Sequence, residues 1–269
     1  MSLSEKQLER YARHIVLKEV GGPGQLKLLR ARVLVIGAGG LGSPIIMYLA
    51  AAGIGTIGII DDDSVSLSNL QRQIIHGTSD NGRSKTQSAA DTVAVLNPDV
   101  EVITYQERLT AENAAKLVAD YDIIADGSDN FETRLAVNDA CIQGKKTLVS
   151  GALHQFDGQL AVFKPHQNAD DGTPLPCYCC FVGDDPAPAF DRSCADQGIL
   201  GSVAGVIGTL QATEIIKEIL GIGVSLAGKL MLYNALDGKS RVVTLPSDPE
   251  CPACGSFQKE EKNPAQQRN

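Results

Sequence analysis

A glycine-rich segment, Gly37–Gly42, lies between a run of apolar residues and a stretch of small helix-forming residues. Its glycines at 37, 39, 40 and 42 permit a tight turn and let the backbone approach a phosphate at a helix N-terminus. Asp61 ends the next apolar run, where a carboxylate can accept hydrogen bonds from ribose hydroxyls. This order predicts a nucleotide site, and taken alone it favours NAD. The alternative is that the glycines only allow a helix to pack closely on a strand.

The next segment carries basic and polar side chains that a hydride-transfer site does not need. Arg72 lies in the run Ser68–Gln73, and Lys85 follows in a predicted helix. A triphosphate has several negative charges that must be neutralised when pyrophosphate leaves. Arginine can bind phosphate through two parallel hydrogen bonds, and lysine acts as a point charge. We interpret both residues as phosphate ligands, with a solvated surface as the alternative for each.

A third acidic position follows another short apolar run. Asp129 and Asn130 stand where another strand is expected to end, and ligands of open α/β sheets bind at such carboxyl ends. A carboxylate there is a suitable Mg²⁺ ligand. The alternative is that these residues cap the helix that follows.

Two Cys-x-x-Cys pairs suggest a metal site. They are Cys177 with Cys180 and Cys251 with Cys254. Four thiolates suit tetrahedral Zn²⁺ with no open coordination position, which indicates a structural site. Four buried free thiols, or redox pairs, are the alternatives. Because Cys179 directly precedes Cys180, the sequence leaves open which of the two thiols binds the metal. The Cys-x-x-Cys spacing favours Cys180.

Two further cysteines stand apart from these pairs. Cys141 falls on a predicted helix and is expected in the core. Cys194 follows Arg192 in an irregular segment, where a helix N-terminus and the arginine would lower its pKa and neighbouring aspartates would oppose that.

Alternating strand and helix patterns up to residue 150 predict an α/β fold with a Rossmann-like, mostly parallel sheet. The pattern then continues into a mixed, antiparallel half with a zinc-bound lobe of four cysteines. We expect helices at 5–18 and 25–29, the latter after a break at Gly21–Gly24, and a hairpin turn at Asp157-Gly158. The expected organisation is a single domain over 1–257, made of N-terminal helices (1–30), a nucleotide-binding half (31–150) and a mixed-sheet half (151–257), followed by a disordered tail (258–269).

The composition excludes several functional classes. The net charge of −8 argues against nucleic acid as a partner, because phosphate contacts need clustered lysine and arginine. The N-terminal residues lack the apolar core of a signal peptide. The apolar stretch 199–220 contains several glycines and charges and is expected to be a buried helix and not a membrane span. Seven cysteines without an export signal favour the cytoplasm, where thiols stay reduced.

Taken together, these motifs resemble the MoeB/ThiF/HesA family, the prokaryotic relatives of ubiquitin-activating enzymes. The resemblance spans residues 5–254, and its most specific parts are Ser68–Gln73 and the two cysteine pairs. The other matching parts are Arg10–Ile15, Gly37–Gly42, Asp61, Lys85, Asp129-Asn130, Ser150–Ala152 and Gly205–Lys217. Within the family, the chain is most similar to the molybdopterin-synthase adenylyltransferase branch, followed by the thiamine-pathway ThiF branch.

The resemblance implies an ATP-dependent adenylyltransferase. Members adenylate the C-terminal glycine of a small ubiquitin-like sulfur-carrier protein, of the MoaD type in molybdenum cofactor biosynthesis, and release pyrophosphate. The nucleophile therefore comes from a partner that ends in Gly-Gly, so no catalytic Ser-His-Asp set is expected in this chain. Because no rhodanese-like segment follows residue 254, any sulfur donor is expected to be a separate sulfurtransferase.

The resemblance also assigns roles to individual residues. Arg13 is implied to reach into the site of a neighbouring subunit, which makes a homodimer. Cys194 stands where members often carry a cysteine for thioester or persulfide chemistry; a non-essential loop cysteine is the alternative. The implied ATP ligands are Gly37, Gly39, Gly40, Gly42, Asp61, Asp63, Ser68, Asn69, Arg72, Lys85, Asp129 and Asn130, with Asp129 also binding Mg²⁺.

Three other functions are alternatives to molybdopterin-type adenylation. Activation of the thiamine-pathway sulfur carrier would use the same residues. An NAD-dependent oxidoreductase explains the glycine loop and Asp61, but it does not explain Arg72, Lys85 or the cysteine pairs. A metal-stabilised scaffold with an inactive nucleotide site is disfavoured by the intact set of charged residues.

Overall fold

The computed structural model describes residues 2–183 and 198–255. Within these ranges a single sheet of eight strands has the order β3-β2-β1-β4-β5-β6-β7-β8. Two predictions, the role of Cys194 and the disordered tail at 258–269, concern residues outside the described ranges. The strands are β1 (Arg32–Ile36), β2 (Thr56–Ile60), β3 (Glu101–Tyr105), β4 (Ile123–Asp126), β5 (Thr147–His154), β6 (Asp157–Phe163), β7 (Lys229–Asn234) and β8 (Lys239–Thr244).

The sheet changes from parallel to antiparallel at β5. The strands β1 to β5 pair in parallel, and β6, β7 and β8 continue as antiparallel neighbours. This confirms the predicted fold class, a Rossmann-like sheet that continues into an antiparallel half. The helices are α1 (Glu5–Arg10), α2 (Ala12–Ile15), α3 (Gly21–Leu28), α4 (Gly42–Ala52), α5 (Lys85–Leu96), α6 (Ala111–Ala119), α7 (Phe131–Gly144), α8 (Tyr178–Val182) and α9 (Gly201–Leu220).

Two apolar layers cover the two faces of the sheet. Because strand side chains alternate between faces, Val33 and Val35 of β1 pack with helices α3, α4, α5 and α9. Leu34 and Ile36 point the other way and pack with α6, α7 and Tyr178 of α8. Helices on both faces protect the parallel strands from water on each side, which is the arrangement that buried parallel strands require.

The break predicted at Gly21–Gly24 is wrong. Helix α3 already begins at Gly21, and the Gly24 N–H donates to the Val20 carbonyl. Pro23 fits because it lies in the first helical turn, where its missing N–H would have had no intrahelical partner. The predicted helix at 25–29 is therefore the second part of a helix that begins earlier.

The predicted hairpin exists, but its turn lies two residues before the Asp157-Gly158 signal. His154 pairs with Asp157 in the β5–β6 register, so Gln155 and Phe156 make the turn. Gln155 takes the left-handed conformation, with φ of +52°. Its carbonyl accepts from the Leu200 N–H, and the Phe156 carbonyl accepts from the Ala235 N–H. These tertiary contacts hold a turn that the local sequence does not favour.

The apolar stretch before residue 220 forms helix α9, whose buried residues are distributed along its length. Its contacts with β5, β6 and α4 place it against the sheet, as expected for a buried helix. Across the described ranges, no helix combines the length and the apolarity needed to cross a bilayer.

Candidate functional site

The carboxyl ends of β1, β2 and β4 meet beneath an open cleft of about 1490 Å³. The connections from β1 and β4 lead to helices on opposite faces of the sheet, and such a switch point is where open α/β sheets bind ligands. The cleft is lined by Gly37, Gly39, Gly40, Asp61, Asp63, Arg72, Lys85, Asp129 and Asn130, among others. Residues predicted from separate motifs therefore converge on one surface.

Two glycines of the loop are required by its geometry. Gly37 has φ of +86°, a left-handed conformation that other residues adopt only at a cost. A Cβ atom on Gly42 would lie 1.8 Å from the Gly37 carbonyl oxygen. The Cβ position at Gly39 lies 3.6 Å from its nearest neighbour and that at Gly40 lies 3.3 Å away. Close packing thus explains why residue 42 is a glycine. Gly39 and Gly40 have no side chain to cover their backbone, which stays accessible to the cleft.

We expect Gly42→Ala to lower stability by about 3 kcal/mol, because the added methyl overlaps a carbonyl oxygen. That corresponds to a melting-temperature decrease of roughly 6–12 °C. Gly205→Ala is the matched control, since nothing lies within 4 Å of a Cβ at this helical position. It should raise stability by about 0.5–1 kcal/mol. Equal melting temperatures for the two variants, measured by calorimetry, would contradict the packing role of Gly42.

Asp61 holds the loop in place and faces the cleft. One of its carboxylate oxygens accepts from the Ala38 N–H at 2.8 Å and the other from the Asp63 N–H at 2.9 Å. Burial raises the pKa of Asp61, and the nearby charge of Lys85 opposes that rise. Each oxygen keeps a lone pair for a ligand hydroxyl. The position fits the ribose-binding role predicted for Asp61.

Lys85 is buried, with a side chain only 6% exposed. Its Nζ atom lies 2.7 Å from Asp63 and 4.0 Å from Asp61. A solvated surface position, the alternative for this lysine, is therefore wrong. A buried ammonium beside the glycine loop is a fixed positive charge, and it is the kind of group that stabilises phosphate oxygens in a site with little water.

Arg72 also lies against the glycine loop. Its guanidinium donates to the Ser68 carbonyl at 3.2 Å, and its side-chain carbons would contact a Cβ on Gly40. Ser68 is exposed and Asn69 is half-buried, and neither lines the cleft. The Asn69 carbonyl accepts from the N–H groups of Arg72 and Gln73. In this structure Asn69 shapes the turn that carries Arg72.

Asp129 and Asn130 occupy the loop after β4. Asp129 is exposed and lines the cleft, as the predicted Mg²⁺ role requires. Asn130 caps α7, since its side-chain oxygen accepts from the Thr133 N–H at 2.9 Å. The helix-cap alternative is thus confirmed for Asn130, whose amide group nevertheless remains at the cleft wall.

A buried ion pair beneath this loop was missed by the sequence analysis. Asp126 lies 3.3 Å from the Arg134 guanidinium, and both side chains are less than a tenth exposed. Arg134 also donates to the carbonyls of Ser128 and Gly151. The one available signal was that Arg134 shares a helix face with buried Val137 and Cys141, where a charge needs partners.

A buried histidine, His76, was also missed. Its Nε2 lies 2.9 Å from the Ala38 carbonyl and its Nδ1 lies 2.8 Å from the Ser88 hydroxyl. Because a carbonyl can only accept, Nε2 carries the proton and Ser88 donates to Nδ1. Burial lowers the pKa of His76. Both polar backbone groups of Ala38 are therefore hydrogen-bonded. Its N–H donates to Asp61, and its carbonyl accepts from His76.

Arg13 does not line the cleft of its own chain. It is an exposed residue of α2. Its predicted action in the site of a neighbouring subunit stays a prediction.

The four paired cysteines form one cluster. Their Sγ atoms lie within 4.8 Å of one another, with separations of 3.9 Å for Cys177–Cys180, 3.7 Å for Cys177–Cys251 and 3.5 Å for Cys180–Cys254. Four sulfurs at the Zn–S distance of about 2.3 Å from one tetrahedral ion would stand about 3.8 Å apart. The cluster could therefore hold a metal ion, and it includes Cys180 and not Cys179. Cys141 is buried in the core, as predicted.

Comparison with known proteins identifies the family of this chain. The family model described as the ThiF family matches residues 11–253. The chain belongs to the ThiF family. The family predicted from the motifs is confirmed, and the match covers the nucleotide-binding half, the first cysteine pair and Cys251.

Several curated relatives of this ThiF-family chain are named as adenylyltransferases, and one is named as an activating enzyme. The sulfur carrier protein adenylyltransferase of Thermus thermophilus is 46% identical over 255 residues, which are 95% of this chain and 93% of that protein. The SAMP-activating enzyme E1 of Haloferax volcanii is 45% identical over 95% of this chain and 92% of its own length. The probable adenylyltransferase/sulfurtransferase MoeZ of Mycobacterium tuberculosis is 46% identical over 93% of this chain, which spans only 63% of MoeZ.

Solved structures share the fold at lower identity. E. coli MccB with ATP superposes with a TM-score of 0.78 at 23% identity, over 91% of this chain and 73% of MccB. PaaA superposes with a TM-score of 0.73 at 24% identity, over 91% of this chain and 75% of PaaA. Both likenesses support the fold of the ThiF-family chain.

Proposed function

We propose that this chain uses ATP to adenylate the C-terminal glycine of a small ubiquitin-like sulfur-carrier protein, in the synthesis of molybdenum cofactor. The observation that carries the proposal is the convergence of Arg72, buried Lys85 and the carboxylate of Asp129 on the cleft that contains the glycine loop. Two cations beside a phosphate-binding loop suit a triphosphate better than a dinucleotide, because NAD has only two phosphate charges. The relatives named as adenylyltransferases support the same activity.

The chemistry needs no nucleophile from this chain. A carboxylate oxygen of the carrier's last glycine attacks the α-phosphorus of ATP, and a new P–O bond forms. The bond between the α-phosphorus and the bridging oxygen breaks, so pyrophosphate leaves with the bonding electron pair. The products are an acyl-adenylate and pyrophosphate, and no proton donor or redox partner is required.

The position of each residue in the cleft indicates its role in this reaction. The backbone of Gly39 and Gly40 would approach the phosphates at the start of α4, where the helix dipole favours negative charge. Asp61 would accept hydrogen bonds from the ribose. Arg72 and Lys85 would stabilise the charge that develops as pyrophosphate separates.

Two metal ions fit the remaining donor groups. Asp129 and its exposed carboxylate would hold Mg²⁺, an ion that prefers oxygen ligands and supplies charge neutralisation when bound with a nucleotide. The four clustered thiols suit Zn²⁺, which binds such sites tetrahedrally. A reduced cytoplasmic environment, which we also propose, keeps these thiols available for metal.

The proposed partners follow from the same assignment. We infer a homodimer in which Arg13 of one subunit contributes to the cleft of the other. A separate sulfurtransferase would then convert the adenylated carrier to its sulfur-bearing form. Longer relatives carry the word sulfurtransferase in their names, and this chain spans about half to two thirds of their length.

Mass spectrometry of candidate carriers tests this function. Each carrier is incubated with the enzyme and Mg-ATP, and the expected product carries one additional AMP moiety at its C-terminus. A carrier without its terminal glycine is the matched control and should stay unmodified. Modification of a molybdopterin-type carrier in preference to a thiamine-type carrier would support the assigned pathway, and the reverse preference would contradict it. Thermal stabilisation by NAD and not by Mg-ATP would favour an oxidoreductase.

A further inference from the structure

Helix α8 has two faces that serve different parts of the molecule. Cys177, which caps the helix, and Cys180 belong to the thiol cluster. Tyr178 and Phe181, each one position later, line the nucleotide cleft. Because residues three apart lie on the same side of a helix, the thiols share one side and the aromatic rings another. The thiol cluster therefore anchors a wall of the cleft.

Tyr178 is tightly held on this wall. It is 5% exposed, and its N–H donates to the Asn138 side chain of α7 at 2.8 Å. Phe163 meets its ring edge-on, with ring centroids 5.8 Å apart. The guanidinium carbon of Arg134 lies 6.0 Å from the centroid of the Tyr178 ring. A cation at this distance from a ring face is attracted to it, and the attraction is stronger when both groups are buried.

Arg134 connects this ring to the loop after β4. Its Nη2 atom donates to the Ser128 carbonyl and to the Gly151 carbonyl at 2.9 Å. The Ser128 N–H donates in turn to Asp126, the buried partner of Arg134. Both polar backbone groups of Ser128 are thus fixed, immediately before Asp129.

We propose that Tyr178 is a positioning residue, which holds Arg134 and through it the loop that presents Asp129 to the nucleotide. The cysteine cluster would then anchor the phosphate site as well as the fold, since it fixes the helix that carries Tyr178. The proposal rests on the proposed function only in taking Asp129 as the Mg²⁺ ligand.

The metal-loaded enzyme with Tyr178→Leu tests the proposal. Two quantities should rise roughly tenfold, because a buried ring–cation contact is lost. They are the Mg²⁺ concentration that half-saturates ATP–pyrophosphate exchange and the Kd of Mg-ATP measured by calorimetry. Bound metal should stay at one ion per chain. Tyr178→Phe keeps the ring over Arg134 and should stay within about threefold of the wild type. Arg134→Lys, which loses the forked donor, should shift the Mg²⁺ dependence in the same direction.

Tyr121→Leu is the matched control. Tyr121 is also a buried tyrosine with an arginine over its ring, Arg32 at 5.4 Å, but it does not line the cleft. It should lower the melting temperature while leaving the Mg²⁺ dependence unchanged. A shift in Mg²⁺ dependence equal to that of Tyr178→Leu would overturn the positioning role.

A double-mutant cycle with Asp129→Asn separates this role from the proposed function. If Tyr178 acts through the Asp129 loop, adding Tyr178→Leu to Asp129→Asn should change the Mg-ATP affinity by less than about twofold. A further tenfold loss would refute the proposal. Mg-ATP binding needs no carrier protein, so the cycle tests the positioning role of Tyr178 even when no carrier is adenylated. Failure to adenylate any carrier would contradict the proposed function alone.

Discussion

Arg72→Ala is expected to slow ATP–pyrophosphate exchange by roughly 10²–10³, the usual cost of removing one preorganised charge partner from an active site. Arg72 is half-buried, and its side-chain carbons lie against the glycine loop at Gly40. Its contact with the Ser68 carbonyl leaves other N–H donors for phosphate oxygens. The loss should fall mainly on kcat, because the charge on the leaving pyrophosphate grows during the reaction. Steady-state exchange rates over a range of ATP concentrations measure both quantities.

Lys85→Ala should have an effect of similar size, with an additional consequence for Asp61. The lysine charge lowers the pKa of Asp61 against the effect of burial, so its removal should raise that pKa further. A carboxylate whose folded-state pKa is raised above its unfolded value destabilises the fold once the pH exceeds the unfolded value. The stability of Lys85→Ala relative to wild type should therefore fall as the pH rises through the acidic range. Calorimetric unfolding between pH 4 and pH 8 (roughly the range around the carboxyl pKa) measures this trend.

Arg83→Ala provides the matched control for both variants. Arg83 is an exposed arginine close to α5, paired with Asp80 and Asp91 on the surface, and it does not line the cleft. Surface ion pairs contribute about 0–1 kcal/mol, so exchange should stay within about twofold of wild type. Full exchange activity in Arg72→Ala and Lys85→Ala would contradict their assignment as phosphate ligands.

The order of the elements could be predicted because each signal is local. Apolar runs such as Val33–Ile36 specify buried strands, and their alternation with helices implies parallel pairing. The turn at Gln155-Phe156 could not be predicted in this way, since contacts with Leu200 and Ala235, distant in sequence, hold it. The start of α3 at Gly21 runs against local signals, because glycine and proline usually interrupt helices, although proline is tolerated in a first turn.

The site shows the same division between local and tertiary information. The glycine loop, Asp61, Arg72 and Lys85 are recognisable because their residue types suit phosphate and ribose. His76 carries no such signal, because its role depends on the Ala38 carbonyl that only the folded chain brings near. Arg134 could have been noticed as a charge on an apolar helix face, but its partners belong to β4 and β5.

Cys254→Ser is expected to abolish stoichiometric metal binding and to lower the melting temperature substantially. Cys254 is fully buried, and its Sγ lies 3.5 Å from that of Cys180. Loss of a structural metal ranks among the largest effects of single substitutions, above about 4 kcal/mol. For a chain of this size that corresponds to a decrease of roughly 8–16 °C. Metal analysis of freshly purified protein and calorimetry measure the two effects, and one zinc ion per chain is expected in the wild type.

Variants of two other cysteines separate the effect of losing a metal ligand from the effect of losing any buried thiol. Cys141 is buried away from the cluster and Cys179 is buried beside it, but neither belongs to the group that could hold an ion. Cys141→Ala and Cys179→Ala should each keep one ion per chain, and Cys180→Ser should lose it. Retention of metal by Cys180→Ser together with its loss from Cys179→Ala would transfer the ligand role to Cys179. Metal-free wild-type protein would refute the site, and the thiols would then stabilise the fold by packing with Leu135, Ile142 and Ala253.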